Sequence, residues 1–287
     1  MIIVVIAIGI CLVYLWMIHP QNLKAEKWEG FRYHYYAHRG LHDAQSNIPE
    51  NSMSAFLKAV ENGYGIELDV QLTKDGIPVI FHDVKTGRLL RDETGAVVNK
   101  ILTELTLEEL QRYHLLTSKE QVPLFEDVLK LVDGKVPLIV ELKVANSSTD
   151  INALCSKADQ LLQNYRGLYC VESFHPACVN WYRKNHPEII RGQLAEHPNT
   201  QAKGKMFFAM RIMQYLLTNF ITRPNFIAYN HHNRHNLSRM LCHRLFKNPA
   251  IAWTIRSKQE LEDNRKYFDY FIFEHFIPNV ESSSEEQ

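Results

Sequence analysis

From residue 32 onward, short apolar runs alternate with longer stretches of helical character. Runs rich in β-branched and aromatic residues are typical of strands, and the stretches between them are typical of crossover helices. The predicted strands are residues 33–37, 65–71, 77–81, 137–142, 168–173, 189–194, 225–229, 251–255 and 270–273. No break rich in Pro, Gly or Ser divides residues 32–280, so the pattern predicts a single α/β domain, a closed TIM-type β/α barrel. A doubly wound open sheet is the alternative.

One pair of predicted strands departs from the parallel pattern. A tight Asp75-Gly76 turn separates the runs at 65–71 and 77–81, and such a turn sends the second strand back antiparallel beside the first. Counting outward from the turn places Asp69 opposite Phe81, within one or two positions. The sequence therefore predicts an antiparallel hairpin in the barrel, which delivers His82 to the acidic residues of the preceding strand.

The amino-terminal segment is apolar throughout. Residues 1–18 carry no charged side chain, and as a helix they extend about 27 Å, close to the hydrocarbon thickness of a bilayer. We therefore predict an N-terminal transmembrane helix within a membrane anchor at 1–20, followed by a linker at 21–31. A cleaved signal peptide is the alternative, but a basic n-region and a small-residue cleavage site are missing. The flanking Lys24, Lys27 and Arg32 favour a cytoplasmic catalytic domain.

Two further segments have unusual composition. Residues 206–217 are apolar and aromatic with one charged side chain, Arg211. This pattern indicates a buried barrel helix, or alternatively an interfacial helix that admits a lipid-derived substrate from the membrane. Residues 281–287 are polar and acidic, which predicts a disordered tail.

Composition limits the possible partners. Lys plus Arg equals Asp plus Glu at 32 each, so the protein has no net charge that would attract nucleic acid. Any binding of a phosphate group must therefore depend on a local cluster of charged residues. The five cysteines lack the spacing of a metal site or a disulfide scaffold, which predicts free thiols.

Acidic residues recur at strand spacing. Glu67 and Asp69 are two residues apart in an apolar run, so they share one face of the strand, and Glu141 and Lys143 repeat this spacing in a second run. If that face points into the barrel, the buried charge requires a cation or an ionic partner. Three carboxylates form an all-oxygen ligand set that suits Mg²⁺ or Ca²⁺. A buried salt-bridge cluster is the alternative.

Two histidines accompany these acids. His38, Arg39 and Gly40 end the first predicted strand, and strand carboxyl ends are the face at which barrel enzymes hold their chemistry. Arg39 is suited to bind a phosphate with its forked guanidinium. With His82 delivered to the same edge, one imidazole can accept a proton from the attacking hydroxyl while the other donates one to the leaving alcohol.

These motifs, in this order, resemble those of the glycerophosphodiester phosphodiesterase family, a branch of the phospholipase-C-like TIM barrels. The matching segments are His38-Arg39-Gly40, Pro49-Glu50-Asn51-Ser52, Glu67-x-Asp69, Thr73-x-Asp75-Gly76, His82-Asp83 and Glu141-x-Lys143. The resemblance implies a divalent cation and the products glycerol 3-phosphate and a free alcohol. The roles that it implies are metal ligation by Glu67, Asp69 and Glu141, acid–base catalysis by His38 and His82, and phosphate binding by Arg39 and Lys143.

Weaker similarity extends into the carboxyl-terminal half. Phe174 and Trp253 follow strand segments and are predicted to wall the pocket around the organic part of the substrate, although core packing is the alternative for both. The chain departs from the family at two places. Family members often carry Asn soon after the Trp-Thr pair and Thr-Asp near the last strand, whereas this chain has Ile255-Arg256 and Phe273-Glu274.

The substrate and the activity have alternatives of their own. The predicted substrate is a glycerophosphodiester such as a deacylated phospholipid, and a lysophospholipid is the close variant. A catalytically silent protein that binds phosphodiester head groups is the alternative from another class, because fold alone does not imply activity. A mere binder has no need of a paired acid and base, so the complete set of residues favours the hydrolase.

Overall fold

A computed structural model describes residues 1–43, 45–197 and 204–279. The predicted tail at 281–287 lies outside the described residues. Eleven strands are present in these ranges: β1 (Tyr36–His38), β2 (Gly65–Leu72), β3 (Pro78–Ile80), β4 (Leu90–Arg91), β5 (His114–Leu115), β6 (Leu138–Leu142), β7 (Tyr169–Ser173), β8 (Arg191–Ala195), β9 (Phe226–Asn230), β10 (Ala250–Ile255) and β11 (Tyr270–Phe273).

Eight parallel strands close into a barrel in the order β1, β2, β6, β7, β8, β9, β10, β11. Closure is complete because β1 pairs with β2 on one side and with β11 on the other. The predicted TIM-type barrel is confirmed, and the open-sheet alternative is wrong. Each predicted barrel strand matches an observed one within a few residues, whereas the short antiparallel pair β4–β5 was not predicted.

Helices connect the strands and cover the barrel. They are α1 (Ile2–Ile18), α2 (Met53–Glu61), α3 (Leu107–Leu110), α4 (Phe125–Val132), α5 (Ile151–Leu162), α6 (Pro176–Asn185), α7 (Gly204–Gln214), α8 (Asn219–Thr222), α9 (Leu237–Met240) and α10 (Lys258–Asn264). Local sequence sets their starts: Ser52 caps α2, and Thr106 and Glu109 form a capping box at α3. α7 exposes Phe208 and Ile212, so it is not the fully buried helix that its composition favoured.

The predicted hairpin is present. β3 runs antiparallel to β2, with Val70 opposite Ile80 and Gln71 opposite Val79. The same register continues to the amide of Phe81, which donates to the Asp69 carbonyl at 2.9 Å. Gly76 adopts φ of 77° in the turn, a left-handed conformation that glycine takes without a steric cost.

The amino-terminal helix differs from the prediction. In the described ranges, no helix is both long and apolar enough to cross a membrane, so the predicted transmembrane helix is not supported. α1 contains 17 residues, which extend about 26 Å, whereas a bilayer core is ~30 Å thick. Its last turn also packs on the barrel: Ile18 is fully buried, and the Tyr14 hydroxyl lies 2.7 Å from Ser238 Oγ.

Candidate active site

Strand register brings the predicted site residues to one edge of the barrel. His38, the last residue of β1, is level with Glu67 on β2. Asp69 on β2 is level with Glu141 on β6, which is in turn level with Glu172 on β7. Because these strands are parallel, the residues near their carboxyl ends form one layer, as expected for a barrel enzyme.

Three carboxylates lie together in this layer. One ligand oxygen from each of Glu67, Asp69 and Glu141 lies within 4.8 Å of the other two, and all three side chains are buried. Burial raises the pKa of Glu67 well above its usual value, and the neighbouring Asp69 and Glu141 charges raise it further. Burial also raises the pKa of Glu141. Ionised together, these carboxylates repel one another, and a cation bound between them would relieve that repulsion.

Two cationic side chains contact the carboxylates. Lys143 Nζ lies 3.1 Å from Asp69 Oδ1 and 2.9 Å from Glu141 Oε1. Arg39 donates its backbone amide to Glu67 Oε2 at 3.1 Å, and its Nε lies 3.4 Å from Asp69 Oδ2. Burial would raise the pKa of Asp69, but the charges of Lys143 and Arg39 outweigh that effect and lower it.

The salt-bridge alternative describes only part of this cluster. With Glu172, four buried carboxyl groups meet two cations, so these two cations cannot balance the layer when all four groups are ionised. Glu172 Oε2 has no hydrogen-bond partner, and burial raises the pKa of this carboxyl well above its usual value. The all-oxygen donor set, and the charge that it would carry once ionised, therefore fit a hard divalent cation.

His38 lies between two carboxylates. Its Nδ1 is 2.5 Å from Glu274 Oε2, and its Nε2 is 3.9 Å from Glu67 Oε2. Burial lowers the pKa of His38 to about 4, although the hydrogen bond to Glu274 opposes that effect. His38 is therefore a neutral imidazole near pH 7, with Nε2 directed toward the carboxylate cluster.

The second histidine belongs to a chain of polar contacts. His82 Nδ1 lies 2.7 Å from Asp83 Oδ1, and Arg88 bridges Asp83 Oδ2 at 2.7 Å and Glu50 Oε2 at 2.5 Å. Glu50 Oε1 in turn lies 2.6 Å from Arg39 Nη1. This network links His82 to Arg39 around the rim of the site, and His82 lines the same cavity as Glu141 and Lys143.

A cavity of about 470 Å³ borders the cluster on the Glu141 side. The predicted residues His82, Glu141, Lys143 and Phe174 line it together with apolar side chains. These include Val84, Val144, Ala145 and, from the apolar segment 206–217, Met213. Trp253 does not line this cavity but packs edge-on against Phe174, with ring centroids 5.5 Å apart. Phe174 thus lines this cavity, and Trp253 stands behind it.

The sequence did not predict the contacts that three further residues make in the site. Asn51 donates to Asp69 Oδ2 at 2.8 Å, Glu172 extends the carboxylate layer, and Glu274 contacts His38. The contact of Glu274 with His38 could have been predicted from barrel closure. The last strand of a closed barrel lies beside the first, so a residue just after β11 adjoins the end of β1.

A β/α barrel with a carboxylate cluster, two histidines and two cations at its carboxyl edge defines a barrel hydrolase suited to phosphate esters. Comparison with known proteins agrees. The sequence model of the glycerophosphoryl diester phosphodiesterase family matches residues 38–267. The chain therefore belongs to that family of phosphoric diester hydrolases.

Individual relatives support this assignment. The glycerophosphodiester phosphodiesterase of Bacillus altitudinis is 32% identical over 163 residues, which cover 54% of this chain and 63% of that protein. YhdW of Bacillus subtilis, provisionally described as a glycerophosphodiester phosphodiesterase, is 32% identical over 234 residues, covering 78% and 86%. A phosphodiesterase from Oleispira antarctica, solved with its product sn-glycerol-3-phosphate, has the same fold, with a TM-score of 0.65 and 20% identity over 85% of this chain and 93% of that one.

Proposed function

We propose that the protein hydrolyses glycerophosphodiesters to glycerol 3-phosphate and an alcohol, with a bound divalent cation. The observation that carries this proposal is that ligand oxygens of Glu67, Asp69 and Glu141 lie within 4.8 Å of one another. His38 lies beside Glu67, and His82 lines the same cavity as Glu141. Family membership supports the reaction class, and the product named for the Oleispira antarctica relative supports the choice of substrate.

The proposed metal ligands are Glu67, Asp69 and Glu141. Their all-oxygen donor set suits Mg²⁺ or Ca²⁺, and such an ion, when bound, neutralises charge on the phosphate oxygens and orients the ester. Lys143 and Arg39 pair with the same carboxylates. We propose that they also bind the phosphate, since both present donors at the edge of the cluster.

His38 and His82 form the proposed acid–base pair. Each engages a carboxylate through Nδ1, His38 with Glu274 and His82 with Asp83, which leaves Nε2 of each ring for the reaction. One ring accepts the proton of the attacking hydroxyl, and the other donates a proton to the leaving alcohol. Phe174, backed by Trp253, forms an apolar wall for the organic part of the substrate.

Turnover of a substrate panel tests this proposal. Glycerophosphocholine and glycerophosphoethanolamine are supplied to the wild type and to His38→Ala and Glu67→Ala, with Mg²⁺, Ca²⁺ or chelator. We expect release of glycerol 3-phosphate that the chelator abolishes and that each substitution lowers by about 10²-fold or more. Substrate binding without turnover would support the silent binder, and turnover insensitive to chelator and to both substitutions would contradict the mechanism.

The cavity walls favour lysophospholipids as a second candidate substrate. Val84, Val144, Ala145 and Met213 line it beside Phe174, and Met213 belongs to α7, which exposes Phe208 and Ile212 on the outside. An acyl chain in this cavity would be in contact with apolar side chains. We expect Met213→Glu to lower kcat/KM for a lysophospholipid more than for glycerophosphocholine. Leu245→Glu, an exposed position away from the cavity, is the control, and equal losses for both substrates would contradict this candidate.

We also propose that α1 attaches the barrel to a membrane, with the catalytic domain on the cytoplasmic side. Apolar side chains from Ile2 to Val13 are exposed around the whole helix, whereas a helix that docks in a protein groove presents one apolar stripe. Vesicle flotation tests this: we expect Ile6→Asp with Ile10→Asp to release the full-length protein, and Val97→Asp, an exposed apolar position elsewhere, to leave binding unchanged. Equal flotation of all variants would contradict it.

A further inference from the structure

Glu274 occupies a position at which this chain departs from the residues that its family often carries. It follows β11 and is largely buried, with 9% of its side chain exposed. Its two carboxylate oxygens have different close partners. Oε2 lies 2.5 Å from His38 Nδ1, and Oε1 lies 2.7 Å from Arg256 Nε. Arg256 is the other departure, so the two unusual residues form one contact pair that reaches His38.

This contact sets the hydrogen on the His38 ring. An arginine side chain only donates hydrogen bonds, and an ionised carboxylate only accepts them. Burial would raise the pKa of Glu274, but its contacts with His38, His42 and Arg256 lower it, so Glu274 is ionised. The atom between Glu274 and His38 must then be a hydrogen on Nδ1. A neutral His38 then carries its lone pair on Nε2, the nitrogen that lies 3.9 Å from Glu67 Oε2.

We propose that Glu274 is a positioning residue that fixes the Nδ1–H tautomer and the ring orientation of His38, and that Arg256 fixes Glu274 in turn. The proposal rests on the catalytic role of His38 given above. Two more histidines approach the same carboxylate, His42 Nε2 at 3.7 Å and His275 Nε2 at 3.5 Å. Both distances exceed those to His38 and Arg256, so these rings are secondary neighbours.

The proposal predicts an effect of Glu274→Gln that a purely structural role does not. A glutamine amide presents one oxygen and one NH₂ group. Because Arg256 donates, it attracts the amide oxygen, and the NH₂ group then donates to His38 Nδ1. The hydrogen on His38 moves to Nε2, which can no longer accept a proton. We expect kcat to fall between about 10²- and 10⁴-fold, the range that acid–base catalysis supplies, with KM nearly unchanged.

Removing Arg256 as well should reverse part of this loss. In Arg256→Met with Glu274→Gln, the amide can rotate so that its oxygen accepts from Nδ1–H, and we expect kcat to recover about tenfold or more over Glu274→Gln alone. Arg256→Met alone should lower kcat only a few-fold, because Glu274 still accepts from His38. Glu260→Gln is the matched control, since Glu260 accepts from the Arg256 backbone amide but does not contact His38.

The tautomer itself is measurable without turnover. A long-range ¹H–¹⁵N spectrum of the full-length protein, with the His38 signals assigned by their loss in His38→Asn, should show Nδ1–H in the wild type and Nε2–H in Glu274→Gln. An Nε2–H wild type, a kcat of Glu274→Gln close to that of the wild type, or a double variant no faster than Glu274→Gln would each overturn the proposal. An inactive wild type with the expected tautomer would instead contradict the proposed function. If a variant folds poorly, the spectrum of the wild type alone still decides which tautomer His38 adopts.

Discussion

Single residues at this site are held by charged partners. Glu50 shows this clearly: it receives hydrogen bonds from Arg39 and Arg88, and its side chain is 13% exposed. Burial alone would raise its pKa, but the hydrogen bonds and charges of the two arginines lower the pKa from 4.5 to about 2. Glu50 therefore stabilises the fold in its ionised form, and the same contact holds the Arg39 side chain.

Stability should consequently depend on Glu50 in a defined pH window. A carboxyl with a lowered folded-state pKa contributes stability above pH 4.5 and loses it as the pH falls toward 2. Because Arg88 is half exposed, we expect Glu50→Gln to lower the free energy of unfolding by about 1–3 kcal/mol at pH 7. Urea unfolding at several pH values should show this difference shrinking below pH 4.5.

The matched control is Glu108→Gln, which removes an exposed helical ion pair with Arg112. Its effect on the free energy of unfolding should be a few tenths of a kcal/mol at every pH. A Glu50→Gln difference that stays constant down to pH 2 would contradict the assigned ion pairs.

Lys143 provides a second prediction for a single residue. Lys143→Met keeps the length of the side chain but removes the charge beside Asp69 and Glu141. We expect kcat/KM for glycerophosphocholine to fall about 10²-fold or more, because the proposed phosphate ligand is lost. Cation affinity should stay equal or become tighter, because the carboxylates no longer share a cation with the lysine. Unchanged turnover would contradict the proposed phosphate-binding role of Lys143.

Among the elements, the β2–β3 hairpin carries the second histidine into the site. Thr73 and Asp75 shape its turn, with the Thr73 hydroxyl donating to Asp75 Oδ1 at 2.6 Å and the amide of Gly76 donating to the Thr73 carbonyl at 2.9 Å. The turn chemistry and the strand pattern could be read from the sequence, because both depend on neighbouring residues. The register at Asp69 is therefore predictable from the sequence alone.

Gly76→Ala tests this element. A left-handed φ of 77° is unfavourable for alanine, so we expect a loss of about 1–2 kcal/mol in the free energy of unfolding. Gly63→Ala is the control, because Gly63 has φ of 72° but lies away from the site. Both variants should lose similar stability, but only Gly76→Ala should lower kcat, by up to about 10²-fold, since it displaces His82. Equal kcat values would contradict the role of the hairpin.

Over the whole molecule, barrel closure decides which distant residues meet. Parallel strands and the spacing of Glu67, Asp69 and Glu141 were sufficient to predict the barrel and the acidic layer, because each depends on local pattern. The contacts of Glu274 with His38, and of Arg88 with Glu50, depend on side-chain directions across loops far apart in sequence. The prediction that the amino-terminal helix spans a membrane was not supported for a similar reason. The packing of Ile18 on the barrel is a tertiary contact that composition does not reveal.

The central claim is that Glu67, Asp69 and Glu141 hold the cation on which phosphodiester cleavage depends. The most direct test titrates Mg²⁺ or Ca²⁺ into metal-free full-length protein while cation binding and release of glycerol 3-phosphate are followed in the same sample. We expect one catalytically required cation per chain, turnover that rises along the binding curve, and loss of both signals in Asp69→Asn. Turnover in the metal-free protein, or cation binding in Asp69→Asn equal to the wild type, would contradict it.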